Sequence, residues 1–330
     1  MNLKSIQRNI PFLATAVVCL LLYLVAGWRY TGFASLRVFV NFLGDNSFLG
    51  IAAIGMTFVI LSGGIDLSVG GMVGLVSVAF ALLLEKAQLH PVISVPVILL
   101  AGALFGTAMG LVIQLFSLPP FLVTLAGMFL ARGFAYVLKL ESIPINHFLD
   151  VITQKFHIPL GSRLDLPATA VILLAAFAVA LAIAHYTTFG RNIYAVGGNE
   201  QSALLMGLPV ARTKVLVYAT SGFCSALAGI VYSLYTFSGN PNAGSGLELD
   251  AIAAVVIGGT LLSGGVGLIA GTFIGVLIFG IIQTALSFEG TLSSWWTRIA
   301  IGALLLLFIL LQKAIQAKKF HSAKTFQTAA

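Results

Sequence analysis

IAAIGMTFVILSGGIDLSVGGMVG, residues 51–74, returns 201 positions later as IAAVVIGGTLLSGGVGLIAGTFIG, residues 252–275, with ten of the 24 positions identical. Both copies interrupt a long apolar run at the same tetrad, Leu61-Ser62-Gly63-Gly64 and Leu262-Ser263-Gly264-Gly265. Adjacent glycines free backbone carbonyls and amides, which a membrane tolerates only against protein or a water-filled cavity. A duplicated pair of glycine-opened helices is how transporters build a site near the bilayer midplane. The pattern predicts a duplicated membrane pathway. One difference between the copies is drastic: Asp66 becomes Gly267.

Composition agrees. Hydrophobic residues make up 59% of the 330 and charged residues 8%, against roughly a quarter charged in soluble domains. Pro91 to Ala131 and Ala251 to Phe288 contain no Asp, Glu, Lys or Arg. Each is too long for one span of about 20 residues. The first divides at Pro119-Pro120 and the second at Ser263-Gly264-Gly265, where the helix ladder is broken. The expected fold is an all-α polytopic membrane protein, one transmembrane domain over 1–330. Its ten or so spans fall near 11–27, 47–62, 67–84, 92–117, 121–140, 167–185, 214–237, 250–262, 267–288 and 293–312. The glycine-broken pairs read as two short spans each or as re-entrant elements, and that parity decides whether the repeats are inverted or parallel. Gly102, Gly106 and Gly110 recur at four-residue intervals, as do Gly70 and Gly74, and Gly271 and Gly275, the spacing of close helix packing.

The net charge of +7 implies no nucleic acid, because the bases sit at span ends and form no stripe interleaved with aromatics. Nine Lys and Arg fall on the segments counted as inside and seven outside, which puts both termini in the cytoplasm. Lys4 and Arg8 precede an apolar run, Pro11 to Gly27, without an evident small-residue cleavage site, so it reads as a retained first span.

No catalytic, cofactor or metal constellation appears. The five histidines are scattered, Cys19 and Cys224 lie in separate apolar runs, and no paired carboxylates or H-E-x-x-H string occurs. The Leu-Ser-Gly-Gly tetrads match an ATPase signature, but a phosphate loop G-x-x-x-x-G-K-[ST] is absent. The candidate translocation path is therefore Ser62, Gly63, Gly64, Asp66, Ser68, Ser263, Gly264 and Gly265. Asp66 either caps the helix that follows it or contacts the solute. Arg132 either pairs with Asp66 or snorkels. Trp295 and Trp296, beside Arg298, form an interfacial belt or a sugar-stacking surface.

The long polar connector, residues 187–213, is TTFGRNIYAVGGNEQSALLMGLPVART. Asn199 or Gly198 can cap a short helix starting at Glu200 and ending at Gly207, with Pro209 beyond. Such a helix on a membrane-embedded chain suits docking of a soluble partner.

These residues resemble the permease subunits of bacterial ABC importers for monosaccharides, of the ribose and arabinose type. Gly55 to Ile60 running into Ser62-Gly63-Gly64-Ile65-Asp66-Leu67-Ser68-Val69-Gly70 is similar to that family's hallmark, and Phe189-Gly190-Arg191 through Gly197-Gly198-Asn199 to its cytoplasmic loop. Asn199, Glu200, Ala203 and Gly207 then match its ATPase-coupling element, with Glu-Gln-Ser-Ala in place of the usual Glu-Ala-Ala. Glu141 to His147 and Gly290 to Thr297 are similar to one permease of a galactofuranose importer. The resemblance implies a bacterial inner-membrane location and contact with membrane lipid. It also implies a cassette ATPase, a second permease subunit and a periplasmic sugar-binding protein as partners, with ATP hydrolysed on the separate subunit. Two other classes remain open to the residues alone: a proton-coupled secondary transporter using Asp66, and a structural or assembly membrane protein.

Overall fold

A computed structural model of the chain describes residues 3–147, 158–159, 165–291, 293 and 295–310. The helices in chain order are α1 (Leu3–Arg29), α2 (Leu36–Asp45), α3 (Ser47–Leu61), α4 (Val69–Glu85), α5 (Pro91–Leu115), α6 (Pro120–Leu138), α7 (Ala168–Tyr186), α8 (Thr188–Gly198), α9 (Glu200–Leu205), α10 (Val210–Thr236), α11 (Leu247–Ile257), α12 (Ile269–Glu289) and α13 (Trp295–Leu310). Among the described residues six are long and apolar enough to cross a membrane: α1, α5, α6, α7, α10 and α12. They become seven if α2 and α3, bent by 58° at their junction, form one span.

Four of the ten expected spans need correction. The segment at 67–84 gives α4, of 17 residues, and that at 293–312 gives, among the described residues, α13, both shorter apolar helices. The segments at 47–62 and 250–262 are not full-length helices either: α3 has 15 residues and α11 has 11. Each stops near its Leu-Ser-Gly-Gly, where Gly63 and Gly264 turn left-handed at φ +85° and +84°, a conformation open to glycine at little cost. α2 lies where no element was expected, with Ser35 accepting a hydrogen bond from the Val38 amide.

The core is built around α3, buried at every residue but Phe48, as a helix apolar all round must be. α10 packs against α3, α4 and α5, while α11 lies between α3 and α12. The glycine stripes set these distances. A Cβ on Gly106 would fall 2.1 Å from the Tyr218 carbonyl oxygen of α10, and one on Gly222 would fall 2.2 Å from the Gly102 carbonyl oxygen. Cβ atoms on Gly271 and Gly275 would each lie 2.0 Å from a carbonyl oxygen of the α11 side, at Gly258 and Ala254. The small-residue spacing is thus a packing device at both places. Leu20 and Leu24 on α1, Leu100 and Leu104 on α5, and Phe129 and Leu130 on α6 are exposed, an apolar surface suited to lipid.

Two short antiparallel ladders join loops, with β1 (Ile143–Pro144) paired to β4 (Ser238–Gly239) and β2 (Ile158–Pro159) paired to β3 (Asp165–Leu166). The first ties the loop after α6 to the end of α10, where the Ile145 amide also donates to the Phe237 carbonyl at 2.9 Å.

Candidate translocation site and coupling segment

The two glycine breaks meet. The Gly265 amide donates to the Leu61 carbonyl at 2.9 Å, and a Cβ on Gly264 would lie 2.9 Å from the Gly63 Cα. The Leu61 carbonyl, left open where α3 ends, is thereby satisfied by an amide of the loop between α11 and α12.

α8 sits on this joint. A Cβ on Gly197 would fall 1.8 Å from the Leu61 oxygen and 2.7 Å from the Gly265 nitrogen, and the Tyr194 hydroxyl donates to the Gly267 carbonyl at 3.1 Å. A cavity of about 480 Å³ opens beside it, lined by Ser62, Gly63, Gly64 and Ser263 from the breaks, by Gly197 to Gln201, and by Lys214 and Tyr218 of α10. The breaks consequently lie at the end of the bundle that carries α8 and α9, where α3 stops and α5 hands over to α6.

Asp66 is the deeper group. It is fully buried, and its carboxylate accepts three hydrogen bonds: the Ser68 amide at 2.9 Å and the Ser68 hydroxyl at 2.6 Å on Oδ1, and the Ser221 hydroxyl at 2.6 Å on Oδ2. Ser221 is the twelfth of 27 residues in α10, well inside the bundle. The arrangement is an Asx turn that fixes Ser68, the residue from which α4 starts, and that also pins α10. Ser68 supplies two of its three donors, and the Leu67 amide is taken by Thr124 Oγ1 at 3.1 Å.

Arg132 neither pairs with Asp66 nor snorkels. Its Nη1 donates to the carbonyls of Pro241 and Ala243, and its Nη2 to that of Gly70 at 3.0 Å. A guanidinium has five donors in a rigid fork, and here that fork gathers the first turn of α4 and the 241–243 loop onto α6. Gly74 makes room for it, since a Cβ there would lie 2.5 Å from Arg132 Nη1, while Gly70 makes room for Glu248, whose Oε2 would lie 2.0 Å from a Cβ at that position. Arg298 lies over the Trp295 ring at 5.7 Å, occupying a face that could otherwise stack on a sugar.

The 187–213 connector is mostly helical, because Thr187 Oγ1 caps α8 through the Gly190 amide at 3.1 Å. Asn199 Oδ1 then accepts from the Ser202 amide at 2.8 Å and starts α9, whose first residue, Glu200, meets Lys214 of α10 at 2.6 Å. α9 ends at Leu205, two residues before the expected Gly207, which is left-handed at φ +76° and has open space around it. Ala203 is completely buried against Val196 and Val210, while Leu204, Leu205 and Met206 are exposed.

Residue-type reasoning passed over Tyr194, Gly197, Tyr218 and Ser221. A signal existed for two of them, since Tyr218 and Ser221 are polar groups three apart on an apolar helix, the spacing of one face. The Tyr218 hydroxyl is buried at the cavity wall without a hydrogen-bond partner among the described residues. Among the described residues no group of three His, Cys, Asp or Glu could hold a metal ion.

Comparison with known proteins agrees with this architecture. A family model described as "Branched-chain amino acid transport system / permease component" matches residues 38–309. The chain is 50% identical over 312 residues to the inner membrane ABC transporter permease protein YjfF of Escherichia coli strain K12, covering 94% of each. It is 37% identical to the fructose import permease protein FruG of Bifidobacterium longum, over 95% of this chain and 94% of that one. It is also 38% identical to the ribose import permease protein RbsC of Bacillus subtilis, over 83% and 84% respectively. No solved structure matches. These relatives are ABC permease subunits, which are not themselves enzymes, and they give no support to a proton-coupled transporter or an assembly protein. The chain therefore belongs to the branched-chain amino acid transport system permease component family, in company with ABC permeases for sugars.

Proposed function

We propose that this chain is a membrane-spanning permease subunit of an ATP-driven monosaccharide importer in the bacterial inner membrane. Both termini are cytoplasmic, and α4, α11 and α13 join the longer helices to make about ten spans over 1–330. Residues 51–74 and 252–275 are then the functional repeat. The observation that carries the reading is the joint between the two Leu-Ser-Gly-Gly breaks under α8, at the end of the bundle where α9 offers exposed Leu204, Leu205 and Met206.

In this reading Ser62, Gly63, Gly64, Ser263, Gly264 and Gly265 close the inner end of the path, with Asp66 and Ser68 holding its deeper wall. Residues 187–213 form the cytoplasmic coupling loop, in which Asn199 and Glu200 start the docking helix, Ala203 anchors it and Gly207 ends it. A cassette ATPase docks there and hydrolyses ATP. Its motion is passed through Gly197 and Tyr194 to the joint, where one backbone hydrogen bond separates the halves. A periplasmic sugar-binding protein delivers the solute, and a second, non-identical permease completes the channel. The cargo is galactofuranose, on the resemblance of residues 141–147 and 290–297 to a permease for that sugar.

Vesicle uptake with and without ATP and the cassette subunit tests the class. Uptake that continues without either would refute it. A panel of labelled pentoses and hexoses, galactofuranose among them, tests the cargo, and preference for another sugar would refute that part alone.

A further inference from the structure

A second cavity, of about 570 Å³, lies at the other end of α3 and α10. It is lined by Asp45 and Asn46 at the bend between α2 and α3, Phe48, Tyr235 near the end of α10, and Gln283, Thr284, Ser287 and Phe288 of α12. α3 runs from this cavity to the glycine joint, about 22 Å at 1.5 Å per residue, and α10 carries Tyr218 in one cavity and Tyr235 in the other, about 26 Å apart.

Three features set it apart from a gap in packing. Gln283, Thr284 and Ser287 are spaced i, i+1, i+4, one face of α12. One turn earlier the same face is closed by Gly280, whose Cβ would lie 3.1 Å from Asn46 Nδ2 and from the Phe42 Cβ. Second, Gln283, Ser287 and Asp45 are exposed although α12 is a span by length and composition. An amide or carboxylate facing hydrocarbon is costly, so this face lines water or a protein-walled path. Third, the donor and acceptor set is mixed. Asp45 accepts a hydrogen bond from the Tyr235 hydroxyl, Gln283 offers an amide and Thr284 a hydroxyl, and Ser287 offers the lone pairs of a hydroxyl that donates to the Gln283 backbone carbonyl at 2.9 Å. Asn46 is held by its own bond to the Phe42 carbonyl, and Phe48, packed edge-on to Tyr232 at 5.2 Å, offers an aromatic ring. Amides and hydroxyls both donate and accept, as a sugar hydroxyl does. The volume falls within the about 300–1,000 Å³ of small-molecule sites.

We propose that this cavity is the outer subsite for the transported monosaccharide, with Asp45, Gln283, Thr284 and Ser287 bonding its hydroxyls and the ring of Phe48 or Tyr235 lying against its carbon face. The proposal rests on the sugar-permease reading above. The test uses the whole importer in vesicles, with ATP and saturating sugar-loaded binding protein, and compares wild type with Gln283→Leu, Ser287→Ala and the two combined. Uptake of the cognate sugar should fall about tenfold in the double variant while stimulated ATP hydrolysis stays within about twofold of wild type. A wild-type importer that moves a non-sugar solute would overturn the reading beneath the proposal. Normal sugar uptake by the double variant would overturn the subsite alone. Loss of ATP hydrolysis together with uptake would also overturn it, by placing these side chains in assembly. As a direct readout, labelling of Ser287→Cys by a membrane-impermeant thiol reagent should slow several-fold in the free cognate sugar, with Ser245→Cys unaffected. Labelling that sugar does not slow at either position would count against the subsite.

Discussion

Gly197→Ala puts a single methyl into the joint between the repeats. Its Cβ would lie 1.8 Å from the Leu61 oxygen and 2.7 Å from the Gly265 nitrogen, both below the 3.0 Å that real contacts keep. Both neighbours are backbone atoms that already hydrogen-bond each other, so neither can swing aside as a side chain would. Relief requires α8 to lift from the joint or the Leu61–Gly265 bond to stretch. Overpacking of this kind costs about 1–3 kcal/mol, which is about a 5- to 150-fold shift against the closed arrangement. The neighbouring Gly198→Ala is the control. It shares the helix and the same gain in helix propensity of about 1 kcal/mol, yet its Cβ meets nothing within 4 Å. In the reconstituted importer, Gly197→Ala should hydrolyse ATP with the solute transported per ATP reduced about fivefold or more, and Gly198→Ala should remain near wild type. Equal behaviour of the two variants would refute the idea that α8 works on the joint by close backbone contact.

Asp66→Asn should retain membrane abundance and most uptake, because the Ser221 hydroxyl can reverse its role and bond an amide. Asp66→Ala strands three buried donors at about 1–3 kcal/mol each, and equal loss of thermal stability in both variants would show that the charge itself is needed. Gly207→Val forces a β-branched residue to φ +76°, costing about 1–2 kcal/mol. Insertion should be intact and sugar-stimulated ATP hydrolysis lost; a variant that assembles and transports normally leaves residues 187–213 as a mere connector. Gly106→Leu drives a side chain into the Tyr218 carbonyl and should lower the unfolding temperature in detergent by several degrees. Gly133→Leu, where a Cβ meets nothing within 4 Å, should not, and matching shifts would mean that the α5–α10 contact is not what the glycine stripe protects.

Much of the architecture was legible because lipid leaves few choices. Charge-free runs, Pro119-Pro120 and the repeated Leu-Ser-Gly-Gly locate helices and their breaks, and the four-residue glycine spacing locates the α5–α10 contact. Depth was not legible. Periodicity reports that a helix is broken, and only the length of the piece before the break, 15 residues in α3, says how far along the bundle the break falls. Nor was the partner of Arg132, since a guanidinium reads in sequence as a charge seeking a countercharge, whereas in the fold its fork is satisfied by three carbonyls, two in the 241–243 loop and one in the first turn of α4. α2 escaped although Leu36 to Asp45 alternates apolar and polar residues at the helical period, because ten residues with a modest apolar content do not register as a span. α8 escaped because its glycines, Gly190, Gly197 and Gly198, read as loop until their close contacts are known.

Those glycines bear on how a pull on α9 would reach the path. α9 has six residues and one fully buried anchor, Ala203, which touches Val196 of α8 and Val210 of α10. On the proposed coupling role, motion of α9 has two routes inward. Through α8 it reaches the joint at Gly197 and the second break at Gly267 through Tyr194. Through α10 it reaches Ser221 and, by one hydrogen bond, Asp66 at the start of α4. The first route acts on both repeats at once, since Leu61 and Gly265 belong to different copies. The second acts on one copy only, because the residue equivalent to Asp66 is Gly267, which has no side chain to hold. The difference between the two segments is therefore mechanical as well as chemical: the start of α4 is pinned to α10 through the Asp66 carboxylate, whereas Gly267, ahead of α12, offers only its carbonyl, to the Tyr194 hydroxyl of α8, and α12 is tied to α3 further along through Thr272 and Thr57.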